Sequence, residues 1–122
     1  MASDAEKFFV EWPARFEKAK ASMPDAVKAF GGLFAAVMKE GALSVREKEL
    51  IALGIGMAMR CDPCINMHVQ KSLEAGATRE QILEAAGVAV MMQGGPTFTY
   101  LPKVVEALEA LEALEALEKS RK

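Results

Sequence analysis

The sequence predicts an all-α fold, a single-domain helical bundle of about six helices over residues 1–122. Ala, Leu, Glu, Lys and Met are abundant along the chain, and each of these residue types favours helices. β-branched residues are scattered, and no segment alternates polar and apolar residues for long, so strand signals are nearly absent. Hydrophobic residues make up 52% of the chain and charged residues 26%, which is typical of a globular protein rather than a disordered one.

Two helices are predicted before the central part of the chain. Residues 4–20 have the pattern of an amphipathic helix, although Pro13 disfavours helical structure near its middle. Pro24, at an early helical position, opens a second helix that should end near residues 40–41. The bulk of the first helix comes from four aromatic residues: Phe8, Phe9, Trp12 and Phe16.

A third helix is predicted directly after Ser44, because Ser44 and Glu47 form a capping-box pattern. Its body, residues 50–59, is apolar on nearly all sides, which predicts a central helix buried on most faces. Gly54 and Gly56 each destabilise such a helix by about 1 kcal/mol relative to Ala. Close approach of another helix would explain both glycines.

A break between two helices is predicted at Pro63, because a proline disfavours helical geometry at the residue before it. The third helix should therefore end near Arg60 or Cys61. Asp62 is then the expected N-cap of a fourth helix, with Pro63 at the first helical position. This fourth helix should stop at Gly76.

The last two helices follow from turn signals. Thr78 with Gln81 repeats the capping-box pattern and opens a fifth helix that runs to about Met92. The Gly-Gly-Pro segment 94–96 breaks that helix. A last helix is predicted over about residues 98–119.

The last helix contains a Glu-Ala-Leu repeat over residues 106–118. Leucines that recur every three residues drift by about 60° per repeat around the helix axis. One interpretation is a surface helix of high intrinsic propensity. The other is a contact in an oligomer, because a spiral of exposed leucines is unfavourable on a monomer. The sequence leaves both open.

Charge and hydropathy exclude several classes of function. The 15 basic and 17 acidic residues give a net charge of −2, so no basic field attracts nucleic acid. The longest apolar run, residues 50–59, is about half as long as a membrane-spanning helix requires. The N-terminal residues lack the basic start and apolar stretch of a signal peptide, which predicts a cytoplasmic protein. We expect neither a nucleic-acid partner nor a membrane partner.

Both cysteines and the only histidine, Cys61, Cys64 and His68, lie within eight residues of one another. On a helix their spacing keeps the three side chains within about 60° around the axis. The thiolate is the reactive form of cysteine, and a helix N-terminus lowers the pKa of a thiol. Two intervening residues allow the pair to close into a disulfide. The cluster therefore predicts a redox dithiol with a nearby base.

The spacing also suggests roles for these residues. His68 lies one turn beyond Cys64, with Cα atoms about 6 Å apart, which favours Cys64 as the deprotonated thiol and Cys61 as its partner. Thioredoxin-like motifs use the first cysteine instead, so the order stays open. Glu49 adjoins the apolar run and is the acidic candidate to orient His68 if it is buried, since a buried carboxylate needs a partner. A solvated surface carboxylate is the other interpretation.

Glu49, twelve positions before Cys61, together with the Cys61-x-x-Cys64-x-x-x-His68 pattern, resembles the signature of the AhpD-like alkylhydroperoxidases. These proteins belong to the carboxymuconolactone decarboxylase superfamily. The resemblance extends over residues 24–108, which is most of the chain. The spaced set of one glutamate, two cysteines and one histidine is fairly specific.

The resemblance implies an all-helical fold that forms hexamers, or next trimers, with the site near a subunit interface. It also implies peroxide reduction: Cys64 attacks the peroxide oxygen, and Cys61 converts the resulting sulfenic acid into a disulfide. Glu49 and His68 would then form a proton relay, and a dithiol or lipoyl-bearing protein would return the electrons. No organic cofactor and no metal are implied. Decarboxylation is not expected, because the decarboxylase branch lacks the cysteine pair.

The sequence allows two alternatives to this interpretation, and at one place it differs from the pattern of the family. Cys61, Cys64 and His68 are ligand types that zinc accepts, although the sequence has no second ligand cluster. A non-catalytic oligomeric scaffold would instead rest on the leucine-rich tail. The best-known relatives place a second histidine between the cysteines, where this chain has Asp and Pro at 62–63. This departure puts peroxidase efficiency in question more than dithiol chemistry.

Overall fold

A computed structural model describes residues 2–121, and the chain is all-α over that range, with no strand. Six long helices are present, as predicted, together with one short helix. Met1 and Lys122, the ends of the predicted 1–122 domain, lie outside the described residues. The helices are α1 (Asp4–Ser22), α2 (Pro24–Met38), α3 (Val45–Ala58), α4 (Asp62–Glu74), α5 (Arg79–Gln93), α6 (Gly95–Phe98) and α7 (Leu101–Ser120).

Helices α1 and α7 differ from the sequence prediction. Pro13 does not interrupt α1, and a stack of aromatic rings spans it: Trp12 lies 5.6 Å from Phe8 and 5.9 Å from Phe16 between ring centroids. The last long helix begins at Leu101 rather than near residue 98, because residues 95–98 form the separate short helix α6.

Both predicted capping boxes and the predicted stop at Gly76 are confirmed. Ser44 with Glu47 and Thr78 with Gln81 both form complete capping boxes, in which each side chain bonds to the backbone N–H of the other residue. Gly76 has a φ of 95°, a left-handed conformation that favours glycine and ends α4.

The core lies where α3, α4, α5 and α7 meet. Its buried side chains come from all four helices, with α4 and α7 contributing β-branched and leucine side chains. The largest fully buried apolar residues are Leu53, Met57, Ile65, Val69, Ile82, Val104 and Leu108. No helix among residues 2–121 is both long enough and apolar enough to cross a membrane.

The prediction that α3 is buried on most faces is wrong for the single chain. Leu53 and Met57 are fully buried, but Ile51 and Ile55 remain 51% and 55% exposed. The reason is that α4 and α5 cover only part of α3. The outer side of α3, together with α5, lines an apolar groove of about 370 Å³.

Among the helices of residues 2–121, α2 is the one that contains no buried residue. Its sequence is nevertheless mostly apolar, and Phe30 and Leu33 are each 61% exposed. A second apolar groove, of about 700 Å³, lies between α1 and α2 and reaches Met67 and Lys71 of α4.

The leucines of the Glu-Ala-Leu repeat in α7 become more exposed along the helix, as expected when each lies about 60° further around the helix axis than the one before. Leu108 is buried, Leu111 and Leu114 are half-buried, and Leu117 is exposed. The first turns of α7 therefore belong to the core, and the last turns lie at the surface of the chain.

Candidate redox site

The site is built around the tight turn between α3 and α4. Arg60 adopts a left-handed φ of 54°, its N–H donates to Met57 O, and the N–H of Cys61 donates to Gly56 O, each at 3.0 Å. This bond pattern is a Schellman motif, which ends a helix and reverses the chain. As a result α4 folds back against α3.

Cys61 and Cys64 form a disulfide at the start of α4, with their Cα atoms 5.2 Å apart. Cys61, not Asp62, is the N-cap of α4, which corrects the predicted helix start by one residue. The physical reason is that Cys61 holds the extended conformation of a cap, while Asp62 is already helical. The Cys61 Sγ accepts a hydrogen bond from the Cys64 N–H at 3.3 Å and so replaces the usual oxygen cap.

Close approach of α3 to the disulfide explains Gly56. A Cβ atom on Gly56 would lie 3.0 Å from the Cβ of Cys64, which is tighter than ordinary packing permits. The same explanation is wrong for Gly54 within the described chain, because apart from its own stretch of α3 nothing lies within 4 Å of a Cβ placed there. Gly54 instead lines the apolar groove between α3 and α5.

Glu49 and His68 meet across the α3–α4 pair. The Nδ1 of His68 lies 2.7 Å from Oε1 of Glu49, and the Glu49 residue is only 3% exposed. A carboxylate buried to this degree needs a hydrogen-bonding partner, and the imidazole provides it. An ionised carboxylate can only accept a hydrogen bond, so in this contact Nδ1 carries the proton of the neutral ring. The buried interpretation of Glu49 is therefore the one the fold adopts.

All four predicted residues lie on the α3–α4 hairpin. The disulfide joins Cys61 to Cys64, the hydrogen bond joins Glu49 to His68, and α4 places His68 one turn after Cys64. Their catalytic roles remain predictions. Between residues 2 and 121, no group of three or more His, Cys, Asp or Glu side chains is arranged to hold a metal ion.

One contact at the site was not predicted. Lys103, on α7, places its Nζ 3.0 Å from Oδ2 of Asp62, the residue that follows Cys61. The two residues are 41 positions apart, and no local pattern of the sequence signals their pairing. The sequence indicated that another helix comes close to Gly56, but it did not show that Cys64 is the residue in contact there.

Fold and site together define an all-α protein with a Cys-x-x-Cys disulfide at a helix start and a buried glutamate–histidine pair beside it. The chain belongs to the carboxymuconolactone decarboxylase family, whose pattern matches residues 24–116. The resemblance noted from the signature residues is thereby confirmed at the level of the family.

Similar proteins come from diverse bacteria. A crystal structure of a carboxymuconolactone decarboxylase family protein from Legionella pneumophila is 38% identical, has a TM-score of 0.78, and covers 91% of this chain and 97% of its own. A family protein from Thermotoga maritima, described with a possible involvement in antioxidative response, is 35% identical with a TM-score of 0.64, and covers 78% of this chain and 95% of its own. An uncharacterised protein from Cupriavidus necator is 33% identical over 105 residues, which are 86% of this chain and 93% of the relative.

Proposed function

We propose that the protein is a thiol–disulfide oxidoreductase that reduces hydroperoxides through the Cys61–Cys64 pair. The observation that carries this proposal is the arrangement of the pair: the disulfide lies at the start of α4, and His68, one turn beyond Cys64, bonds to the buried Glu49. The antioxidative description of the Thermotoga maritima relative supports the same chemistry. Carboxymuconolactone decarboxylation is not part of the proposal.

In the oxidative half-reaction, Cys64 is the nucleophile. Its thiolate attacks one oxygen of the hydroperoxide, so that an S–O bond forms and the O–O bond breaks. The leaving alkoxide takes a proton from protonated His68 and departs as an alcohol, which leaves a sulfenic acid on Cys64. The Cys61 thiol then attacks that sulfur, and water leaves as the disulfide forms.

Glu49 acts through His68 in this mechanism. Because the carboxylate binds the Nδ1 side of the ring, Nε2 is the nitrogen that takes the proton from Cys64 and later gives it to the alkoxide. The negative charge of the carboxylate also stabilises the imidazolium that exists between these two transfers. Glu49 is thus an orienting residue, and His68 is the base.

In the reductive half-reaction, a dithiol or lipoyl-type donor returns two electrons. A donor thiolate attacks the sulfur of Cys64, the S–S bond breaks, and Cys61 leaves as a thiolate. The hydrogen bond from the Cys64 N–H to the Cys61 Sγ supports this direction, because it stabilises the leaving charge. The second donor thiol then releases Cys64 and closes the donor disulfide. A cytoplasmic location, where thiols are kept reduced, fits this cycle.

The test combines alkylation and turnover. Reduced protein is alkylated with iodoacetamide over a range of pH, and each cysteine is followed by mass spectrometry. We expect Cys64 to react with a pKa well below about 8.5, the ordinary value for a thiol. Turnover of tert-butyl hydroperoxide with dihydrolipoamide as donor should be lost in Cys64→Ser. In Cys61→Ser we expect one oxidation of Cys64 and no cycling.

The chain suits this test, because it contains only two cysteines, so each serine variant leaves a single thiol. Undiminished peroxide turnover in Cys64→Ser would rule out the mechanism. A lowered pKa at Cys61 instead of Cys64 would reverse their order, as in thioredoxin-like motifs. Two unreactive thiols would favour a structural role of the cysteines, and thiols that are protected only when zinc is present would favour the zinc site.

We further propose that the protein works as a homo-oligomer, with a hexamer preferred over a trimer. The exposed area supports this. The chain exposes 8070 Å² at a mass of 13.2 kDa, whereas a folded monomer of that mass exposes about 6,400 Å². The difference of about 1,600 Å² is twice the area of about 800 Å² that one partner contributes to a standard interface.

Two separate apolar surfaces are available for such contacts. One is the uncovered side of α2, with Phe30 and Leu33, and the other is the α3–α5 groove, where Gly54 allows close approach. One kind of contact yields a dimer or a closed ring, whereas a dihedral assembly such as a hexamer requires two different kinds of contact. The mass in solution, measured by light scattering at several concentrations, tests this. A stable monomer at micromolar concentration would contradict it.

A further inference from the structure

An ion pair links α7 to the cysteine motif and has no part in the mechanism above. Lys103 Nζ lies 3.0 Å from Oδ2 of Asp62, the first residue of α4 and the direct neighbour of Cys61. The same ammonium group lies 5.5 Å from the centre of the Tyr100 ring. Lys103 therefore reaches the redox motif from a helix that carries none of the proposed catalytic residues.

The surroundings of this pair are acidic. Lys103 lines a small recess with three carboxylates, and it is the only cation among the residues that line it. Helices α1, α4 and α7 all contribute to the recess, which is closed by the buried amide of Asn66. The lining residues are Asp4, Ala5, Asp62, Asn66, Lys103 and Glu106.

The ammonium group is charged throughout the pH range in which thiols titrate. The hydrogen bond to Asp62 is the main cause that raises the pKa of Lys103 above its ordinary value, and partial burial opposes this effect. The charges of Asp62 and Glu106 raise the pKa further. The recess thus holds one fixed positive charge against its carboxylates.

The position of Asp62 matters because a carboxylate beside a thiol opposes formation of the thiolate. A lysine ion-paired to that carboxylate cancels much of its field at neighbouring atoms. We propose that Lys103 is a positioning residue of the redox site: it holds and neutralises Asp62, and so favours the reduced, thiolate-bearing form of the Cys61–Cys64 pair. This inference rests on the proposed dithiol chemistry.

The effect enters at the reduction of the disulfide. When a donor thiolate bonds to one sulfur, the S–S bond breaks and the other sulfur leaves with a negative charge. That charge appears one residue from Asp62 if Cys61 leaves, and two residues from it if Cys64 leaves. An unpaired Asp62 carboxylate would therefore shift the equilibrium toward the disulfide in either case. A purely mechanical tether between α4 and α7 would not have this effect.

The experiment measures the equilibrium between the cysteine pair and dithiothreitol in Lys103→Met, Lys103→Arg and Asp62→Asn. We expect Lys103→Met to shift the equilibrium constant about threefold toward the disulfide, which is about 15 mV for a two-electron couple. Lys103→Arg should keep the wild-type value, because it keeps the charge. Asp62→Asn should shift the constant toward the dithiol. In the Asp62→Asn background, Lys103→Met should shift the constant toward the disulfide by less than it does in the wild type.

Lys119→Met is the matched control, since Lys119 also pairs with a carboxylate on α7, at 3.1 Å from Glu115, but near the helix end. It should leave the equilibrium unchanged. An unaltered constant in Lys103→Met, or the same shift with and without Asp62, would overturn the inference. Asp62→Asn removes the negative charge of the Asp62 carboxylate while leaving Lys103 in place, so it tests the same electrostatic effect. Exchange with dithiothreitol requires no peroxide, so it tests this inference separately from peroxidase activity. If the wild type lacked peroxidase activity but the variants showed these shifts, only the peroxidase proposal would be refuted.

Discussion

The α3–α4 hairpin and helix α2 differ in how much of their packing a single chain supplies. In the hairpin, Glu49 has its partner His68, and Gly56 admits Cys64. Helix α2 has no buried residue, although most of its side chains are apolar. The difference indicates that the chain alone specifies the geometry of the redox site. The apolar surface of α2 has a stabilising role only when something else covers it.

The largest effect is expected when a charge is placed on the apolar surface of α2. We expect Leu33→Asp to break the α2 contact and leave a smaller assembly held by the α3–α5 contact, because a carboxylate buried in an apolar contact is strongly unfavourable. Light scattering would report the mass. Lys28→Glu, which changes a residue that is already charged and exposed on the same helix, should remain assembled. An intact oligomer in Leu33→Asp would mean that α2 is not the contact.

The next effect concerns the hairpin. Glu49→Gln removes the charge that orients and stabilises the imidazolium of His68, so we expect peroxide reduction to slow by about tenfold or more. The pH dependence of Cys64 alkylation should shift upward at the same time. Glu84→Gln, a change of an exposed carboxylate on α5, serves as the control. If both variants kept the wild-type rate and pH profile, Glu49 would have only a structural role.

A third prediction compares two glycines on the same helix. Gly56→Ala should destabilise the fold by about 1–3 kcal/mol, because the added methyl group meets Cys64 at 3.0 Å. Gly54→Ala should instead stabilise it by up to about 1 kcal/mol, because the site is open within the chain and alanine favours a helix. Urea unfolding in the Leu33→Asp background, at one protein concentration, would compare the two variants in the same reduced assembly. Equal effects would contradict the close approach of α3 to α4.

The smallest effect lies at the start of α3. The backbone N–H of Ser44 is the main cause that lowers the pKa of Glu47 below its ordinary value of 4.5, and the Ser44 hydroxyl adds to it. A lowered pKa means that this carboxylate stabilises the fold above its unfolded pKa. The contribution is lost as the pH falls through the folded value, below 4.5. Ser44→Ala removes the hydroxyl and keeps the backbone N–H, so the pKa of Glu47, followed by NMR, should move only part of the way back toward 4.5; an unchanged value would contradict the contribution of the hydroxyl.

Local signals account for what the sequence predicted well. Both capping boxes and the stop at Gly76 depend on residues within a few positions of one another, so the sequence alone is enough to predict them. The clustering of Cys61, Cys64 and His68 on one side of α4 follows from helix periodicity in the same way.

Tertiary packing accounts for what the sequence could not predict. The pairing of Lys103 with Asp62 depends on how α7 docks against α4. The all-round apolar sequence of α3 suggested complete burial, because hydropathy does not distinguish a core face from a face left open to another chain. The same ambiguity applies to Gly54, whose space is visible only in three dimensions.

The proposed catalytic residues all fall within twenty consecutive positions, from Glu49 to His68. Contacts between residues so close in sequence form quickly during folding, because they close only short loops. The hairpin can therefore assemble its glutamate, histidine and thiols before α7 docks and before any second chain arrives. In a nascent or partly folded chain, this order would bring the two cysteines together before the rest of the fold is complete.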